Sequence, residues 1–204
     1  MSTVLNQKRP LLTYGNLKLS KRQAIWTLPS GITCIGAGEC AKWCYSRKAE
    51  RCYKRARASR EWKLEVSKKA NFVLVMVNAI LNSKRKIVRV HQDGDFYSQD
   101  YLEKWKNIAR LLPNVTLYAF TKSFELDLWV GLPKNFIIIQ SFGSRYDGKI
   151  DTKRNTARVV DTQAEIGKKE YTCPYHEETF TKCGEYCTYC MTRGKIKHVA
   201  FLKH

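Results

Sequence analysis

The placement of eight cysteines does more than any other feature to limit what this chain can become. Cys34, Cys40, Cys44 and Cys52 lie in one stretch and Cys173, Cys183, Cys187 and Cys190 in another, and the 120 residues between contain none. Disulfide frameworks usually spread along a chain, whereas metal-ligand sets cluster. The N-terminus, MSTVLNQKRPLLTYG, carries neither an apolar h-region nor a small-residue cleavage site, so the chain reads as cytoplasmic. Thiols stay reduced in that compartment, which turns the expectation from disulfides to metal. The longest strongly apolar run, FVLVMV at Phe72 to Val77, falls far short of the ~20 residues of a membrane span, so no membrane partner is expected.

The two groups suggest different chemistry. In the second, Cys187-x2-Cys190 lets two thiolates reach one ion, with Cys173, Cys183 and the histidines His176, His198 and His204 nearby. Four soft ligands in one region favour tetrahedral zinc, with His204 as a further ligand. The first group, Cys34-x5-Cys40-x3-Cys44, is less familiar. Three thiolates so close suit a second metal, either zinc or an iron–sulfur cluster with one open iron. The alternative is reduced cysteine used as a small core residue.

Charge supplies the partner. Lys and Arg number 37 against 18 Asp and Glu, a formal net charge of +19. A field of that sign gathers polyanions, and nucleic acid is the commonest. The surplus is concentrated between Cys40 and Lys69, a stretch that reads as one basic helix with Trp43, Tyr45, Tyr53 and Trp62 interleaved. Arg47, Lys48, Arg51, Lys54, Arg55 and Arg57 are the candidate phosphate contacts, and the aromatics offer stacking faces for unpaired bases. A solvated helix face with inward aromatics is the plainer alternative.

Beyond residue 70 the pattern alternates. Helices are expected at Asn71 to Leu81, after an N-cap at Ser98, and briefly at Glu125 to Val130. Strands are expected at Lys86 to His91, Val115 to Phe120, Asn135 to Gln140, Thr156 to Val160 and His198 to Leu202. Continuous apolar strands alternating with helices imply an α/β fold: a parallel sheet covered on both sides. At this length a reduced or incomplete (β/α) barrel with a Cys-rich metal-binding C-terminal segment is expected. One domain spans 1–204, divided into a Cys-containing basic region (34–69), an α/β core (70–170) and a Cys-cluster segment (171–204).

Ligands of parallel α/β folds bind at the carboxyl ends of the strands. The strand KIVRVH runs straight into His91, Asp93 and Asp95, with Gly94 permitting a sharp turn. Two neighbouring carboxylates push their pKa values apart, which suits acid/base or nucleophilic work. Lys122, Ser123, Gln140 and Ser141 follow the next strands as candidate substrate contacts. Asp161 is a reserve acid, with an N-cap role as its alternative.

Several motifs look familiar together: Thr33-Cys34, Cys40-x3-Cys44-Tyr45, His91-x2-Gly94-Asp95-Phe96-Tyr97-Ser98 with Tyr101 and Trp105, Tyr118-x-Phe120-Thr121-x-Ser123, Cys173-Pro174 and Val199-Ala200-Phe201-Leu202-x-His204. From about residue 20 onward the chain resembles the phage DNA guanine transglycosylases, distant relatives of the zinc-bearing tRNA-guanine transglycosylase barrels. The resemblance implies exchange of guanine in phage DNA for a free 7-deazaguanine base, protecting that DNA from restriction. It implies Asp95 as the leading catalytic group, displacing guanine from the sugar. His91 would orient it or contact a phosphate, and Asp93 stands where the family more often has Ser. Zinc would hold the C-terminal segment in place. Three other readings stay open. One is an iron–sulfur enzyme acting on nucleic acid, since Cys183-x3-Cys187-x2-Cys190 reproduces radical S-adenosylmethionine spacing, though near the wrong end of the chain. The others are a non-catalytic zinc-stabilised DNA-binding protein and a nuclease using a divalent ion.

Overall fold

The computed structural model describes residues 9–175, 182–194 and 197–203. Strand β1 (Thr13–Tyr14) and β2 (Gln23–Ile25) lead into helices α1 (Tyr45–Cys52), α2 (Lys54–Lys68) and α3 (Phe72–Ser83). Then come β3 (Ile87–Val90), α4 (Gln99–Leu111), β4 (Thr116–Thr121), β5 (Phe136–Ser141), β6 (Thr156–Val160), β7 (Tyr171–Thr172) and β8 (His198–Leu202). They form one mixed α/β architecture around a single eight-stranded sheet of order β1-β2-β3-β4-β5-β6-β8-β7. Every pairing is parallel except β1 with β2. Among the described residues the sheet is open, with β1 and β7 at its edges, and no closed barrel forms.

Local chemistry explains most boundaries. Ser98 caps α4 by accepting a hydrogen bond from the Tyr101 amide at 3.2 Å. The helix then buries Tyr101, Leu102, Trp105, Ile108 and Ala109, a stripe at helical spacing. The basic helix expected over 40–69 is instead two helices. Tyr53 leaves helical geometry (φ −118°, ψ 89°), its amide closing α1 on Ala49 and its carbonyl opening α2 at Arg57. The short helix expected at 125–130 does not form. Asp127 accepts from the amides of Trp129 and Val130, a local turn that competes with helix. Strand β2 went unrecognised because three residues carry no periodicity.

Among the described residues the α-helices cover one face of the sheet, and the other carries only the single 3-10 turn Tyr189–Met191. On the helix-covered face Ala24, Val88, Val90, Leu117, Ala119, Phe136 and Ile138 pack against Val66, Phe72, Met76, Ile80 and the α4 stripe. Trp26, Phe72 and Trp105 meet there at centroid separations of 5.5 to 6.2 Å. The alternate residues face the other way: Tyr118, Ile137, Ile139, Ala157 and Val199, with Met191, Cys173, Cys183 and Cys190 against them. Phe120 on β4 and Phe201 on β8 have two strands between them, yet their rings lie 5.7 Å apart. Neighbouring strands sit ~4.8 Å apart, so that contact requires the sheet to curl toward this second face, making it concave.

Candidate metal and nucleic-acid site

The loop bearing the first cysteines lies across the carboxyl ends of β4 and β5. Its backbone bonds there, Gly38 N to Gly143 O at 3.2 Å and Arg145 N to Gly36 O at 3.1 Å, and Ser144 Oγ donates to Gly36 O at 2.8 Å. Gly36 packs so tightly on the Lys122 carbonyl that a β-carbon would overlap it, which explains the glycine. The loop draws Cys34, Cys40 and Cys44 into one electrostatic neighbourhood. Burial first, then the Asp95 carboxylate and the thiols of Cys44 and Cys40, push the Cys34 thiol up to about 12. Lys122 stands beside them. Burial lowers its ammonium from the ordinary lysine value, and Cys40, Asp95, Asp147 and Cys34 oppose that.

The second group is gathered on the concave face. Cys173 N bonds to Ala200 O at 2.8 Å, and the Cys183 backbone pairs with Lys18 and Ser20. Burial, followed by Cys183, pushes Cys190 up to about 12, with Cys173 and Cys187 adding to it. A bound cation would reverse both shifts, because it favours the thiolate. Among the described residues no three of His, Cys, Asp or Glu are set as a metal-ion group. His204 and His176 lie outside the described residues, and His198 Nδ1 instead lies 2.7 Å from Thr156 Oγ1.

The acids at the end of β3 are structural staples here. Asp95 is 5% exposed, and its carboxylate accepts from Thr121 Oγ1 (2.6 Å), Lys122 N (2.8 Å) and its neighbour Phe96 N (2.8 Å). Burial still drives its pKa above the ordinary value, those bonds only opposing the rise. Asp93 Oδ2 takes the Arg60 guanidinium at 2.6 Å, and Arg60 also holds Glu50 at 2.7 Å. Glu50 in turn accepts from Ser30 N and Oγ, so one ion network ties α1 and α2 to the sheet end. Gly94 adopts φ +79° against Leu28 and Thr33, where a side chain would collide. His91 is buried, its Nε2 2.9 Å from the Tyr101 hydroxyl, and burial lowers its pKa to about 3. A neutral, enclosed imidazole of that kind is poorly suited to general acid/base work near pH 7.

The other candidates separate. Lys122 Nζ donates to Phe142 O (2.6 Å) and to Ser141 Oγ, so those two residues share the mouth with the first cysteines. Ser123 is fully buried beneath the loop with its Oγ unpartnered. Gln140 is consumed by the Asp151 backbone, donating at 2.8 Å and accepting at 2.9 Å, so it holds a turn. Asp161 pairs with Lys203, and the adjacent N-cap is Thr162. Arg47, Lys48, Arg51, Lys54, Arg55 and Arg57 are all exposed on α1 and α2, as are Trp43, Tyr45 and Tyr53, whereas Trp62 turns inward. Arg60 and Arg89 were passed over. A lone arginine inside the apolar strand KIVRVH was the available signal for the second.

Residues 5–199 match the family described as Gene product 88. The chain belongs to that family. It is 30% identical over 109 residues to the Gene 88 protein of Mycobacterium phage L5, covering 47% of this chain and 46% of that protein. The Gene 88 protein of Mycobacterium phage D29 is 28% identical over 109 residues, 47% of this chain and 45% of that protein. The chain thus spans about half the length of the curated relatives it matches, and both are phage proteins. No solved structure matches. These matches overturn the resemblance to the DNA guanine transglycosylases: the motifs that suggested it sit in a gene product 88 chain. The reading of Asp95 as the group that exchanges guanine loses the support of that resemblance, and the structure shows its carboxylate bonding β3 to β4. Among the described residues no helix is long and apolar enough to cross a membrane.

Proposed function

We propose that this protein is an iron–sulfur enzyme that modifies nucleic acid, built on an incomplete (β/α) barrel and working in the host cytoplasm. The observation that carries this reading is the docking of the Cys34–Cys40–Cys44 loop over the carboxyl ends of β4 and β5. That is where parallel α/β sheets bind ligands. Three thiols from one loop, with Lys122 beside them, suit a cluster that keeps one iron open. Bound there, a cluster would supply one-electron chemistry. The exposed cations of α1 and α2 adjoin the same loop and would hold the polyanion in front of it.

Purification without oxygen, followed by a visible absorption scan and assays of iron, sulfide and zinc, tests this. A brown protein that loses its colour in Cys34→Ala, Cys40→Ala and Cys44→Ala is expected. A colourless wild type holding only zinc would sink it. A second reading, a non-catalytic zinc-stabilised DNA-binding protein, is favoured by one observation: Asp95 and one oxygen of Asp93 are engaged in bonds that hold the sheet end together. It expects zinc at Cys173, Cys183, Cys187 and Cys190 and no iron at all.

A further inference from the structure

The concave face carries two cations that the preceding sections leave without work. Arg89 points inward from β3, its guanidinium carbon 4.2 Å from the centre of the Phe120 ring and 5.0 Å from that of Tyr118. Lys18 Nζ sits 4.6 Å from the Phe201 ring centre and 5.0 Å from that of Tyr175. Phe120 and Phe201 touch edge to face, so the two cations rest on one aromatic floor. Arg89 Nε is buried and has no hydrogen-bond partner. Asp93, the carboxylate its charge reaches, has already given Oδ2 to Arg60. The trough is not sealed, because Val159 beside Phe201 is 44% exposed and Lys18 is only half-buried.

A guanidinium held in place by rings, with donors in hand and no committed acid, is built for a planar or tetrahedral oxyanion. An amine-only second cation at the rim adds charge without directional demands, which suits a phosphate. We propose that the aromatic trough between Arg89 and Lys18 binds the phosphate of a nucleotide. Arg89 is the anchor and Lys18 the mobile counter-charge, and the attached nucleoside stands toward the mouth that Cys34, Cys40 and Cys44 overhang. The inference rests on the nucleic-acid reading above and specifies how its substrate is held. The phosphate comes either from a free nucleotide or from one nucleotide within a strand.

Calorimetry at low salt with nucleoside 5′-monophosphates and the matching nucleosides, with a fluorescent single-stranded 12-mer as competitor, tests the trough. The monophosphates should bind at least about ten-fold more tightly than the nucleosides. Arg89→Met should erase that difference and Arg89→Lys should keep part of it, with near-ultraviolet circular dichroism confirming that both variants are folded. Displacement of monophosphate by the 12-mer assigns the phosphate to a strand, and binding without displacement assigns it to a free nucleotide. Equal binding of nucleoside and nucleotide, or unchanged monophosphate affinity in folded Arg89→Met, overturns the proposal. If the 12-mer still binds folded Arg89→Met as it binds wild type and iron is present, only the trough is wrong. If Arg89-dependent monophosphate binding appears in a protein without iron or strand affinity, the trough stands and the iron–sulfur reading fails.

Discussion

The two faces of the sheet are built from alternate residues of the same strands, yet they are different materials. Val88 and Val90 enter a helix-covered core in which Trp26, Phe72, Tyr101 and Trp105 are fully buried. Arg89, between them, enters a smaller cluster closed by cysteines and the short 3-10 turn at Tyr189–Met191. The first face buries apolar area, and that is where the fold gets its stability. The second spends its area on cations, thiols and the unpartnered Nε of Arg89, which contribute little to stability and much to binding. One strand supplying both explains how a 204-residue chain has room for a site.

The sharpest way to break that contrast is to cut the helix-covered core. Trp105→Ala should cost about 3–5 kcal/mol in chemical denaturation. Arg60→Met should cost about 3 kcal/mol, because Asp93 would be left buried and uncompensated at the sheet end. A titration of stability separates the core histidine from a catalytic one. The unfolded chain protonates His91 near the ordinary 6.5, whereas the folded chain holds it neutral down to about 3. Stability is therefore lost as pH falls through that window, at about 1.4 kcal/mol per pH unit. His91→Asn, which tolerates the local φ of 59°, should flatten the slope, and an unchanged slope would move its origin elsewhere. On the concave side Tyr118→Phe removes the hydroxyl that donates to Gln23 and meets Cys183, and should cost about 1 kcal/mol by thermal unfolding. A loss as large as that of Trp105→Ala would erase the distinction between the faces.

Legibility in the sequence followed the same division. Helices α3 and α4 and strands β3 to β6 and β8 were readable because long apolar patterns announce themselves. The break at Tyr53, strand β2 and the turn at Asp127 were not, since each is decided by a few hydrogen bonds that leave no period. The site was half legible. The cysteine groups, the basic helices and the Asp93/Asp95 pair stood out by clustering, but what the two acids bond to did not. A pair of carboxylates in a basic chain looks the same in sequence whether it attacks a substrate or holds Arg60 and Thr121.

By itself the sequence determined the α/β class, the two groups of cysteines and the strongly basic surface of α1 and α2, because composition and spacing act locally and survive any folding. Only the tertiary structure decided what each charged group has left to offer. Parallel pairing brings Thr121 and Lys122 to Asp95, and α2 brings Arg60 to Oδ2 of Asp93, so those oxygens are spent. The curl of the sheet brings Phe120 to Phe201 beneath Arg89, whose buried Nε is not. Whether a polar atom is free depends on partners far away in the chain, and spacing along the chain carries no record of them.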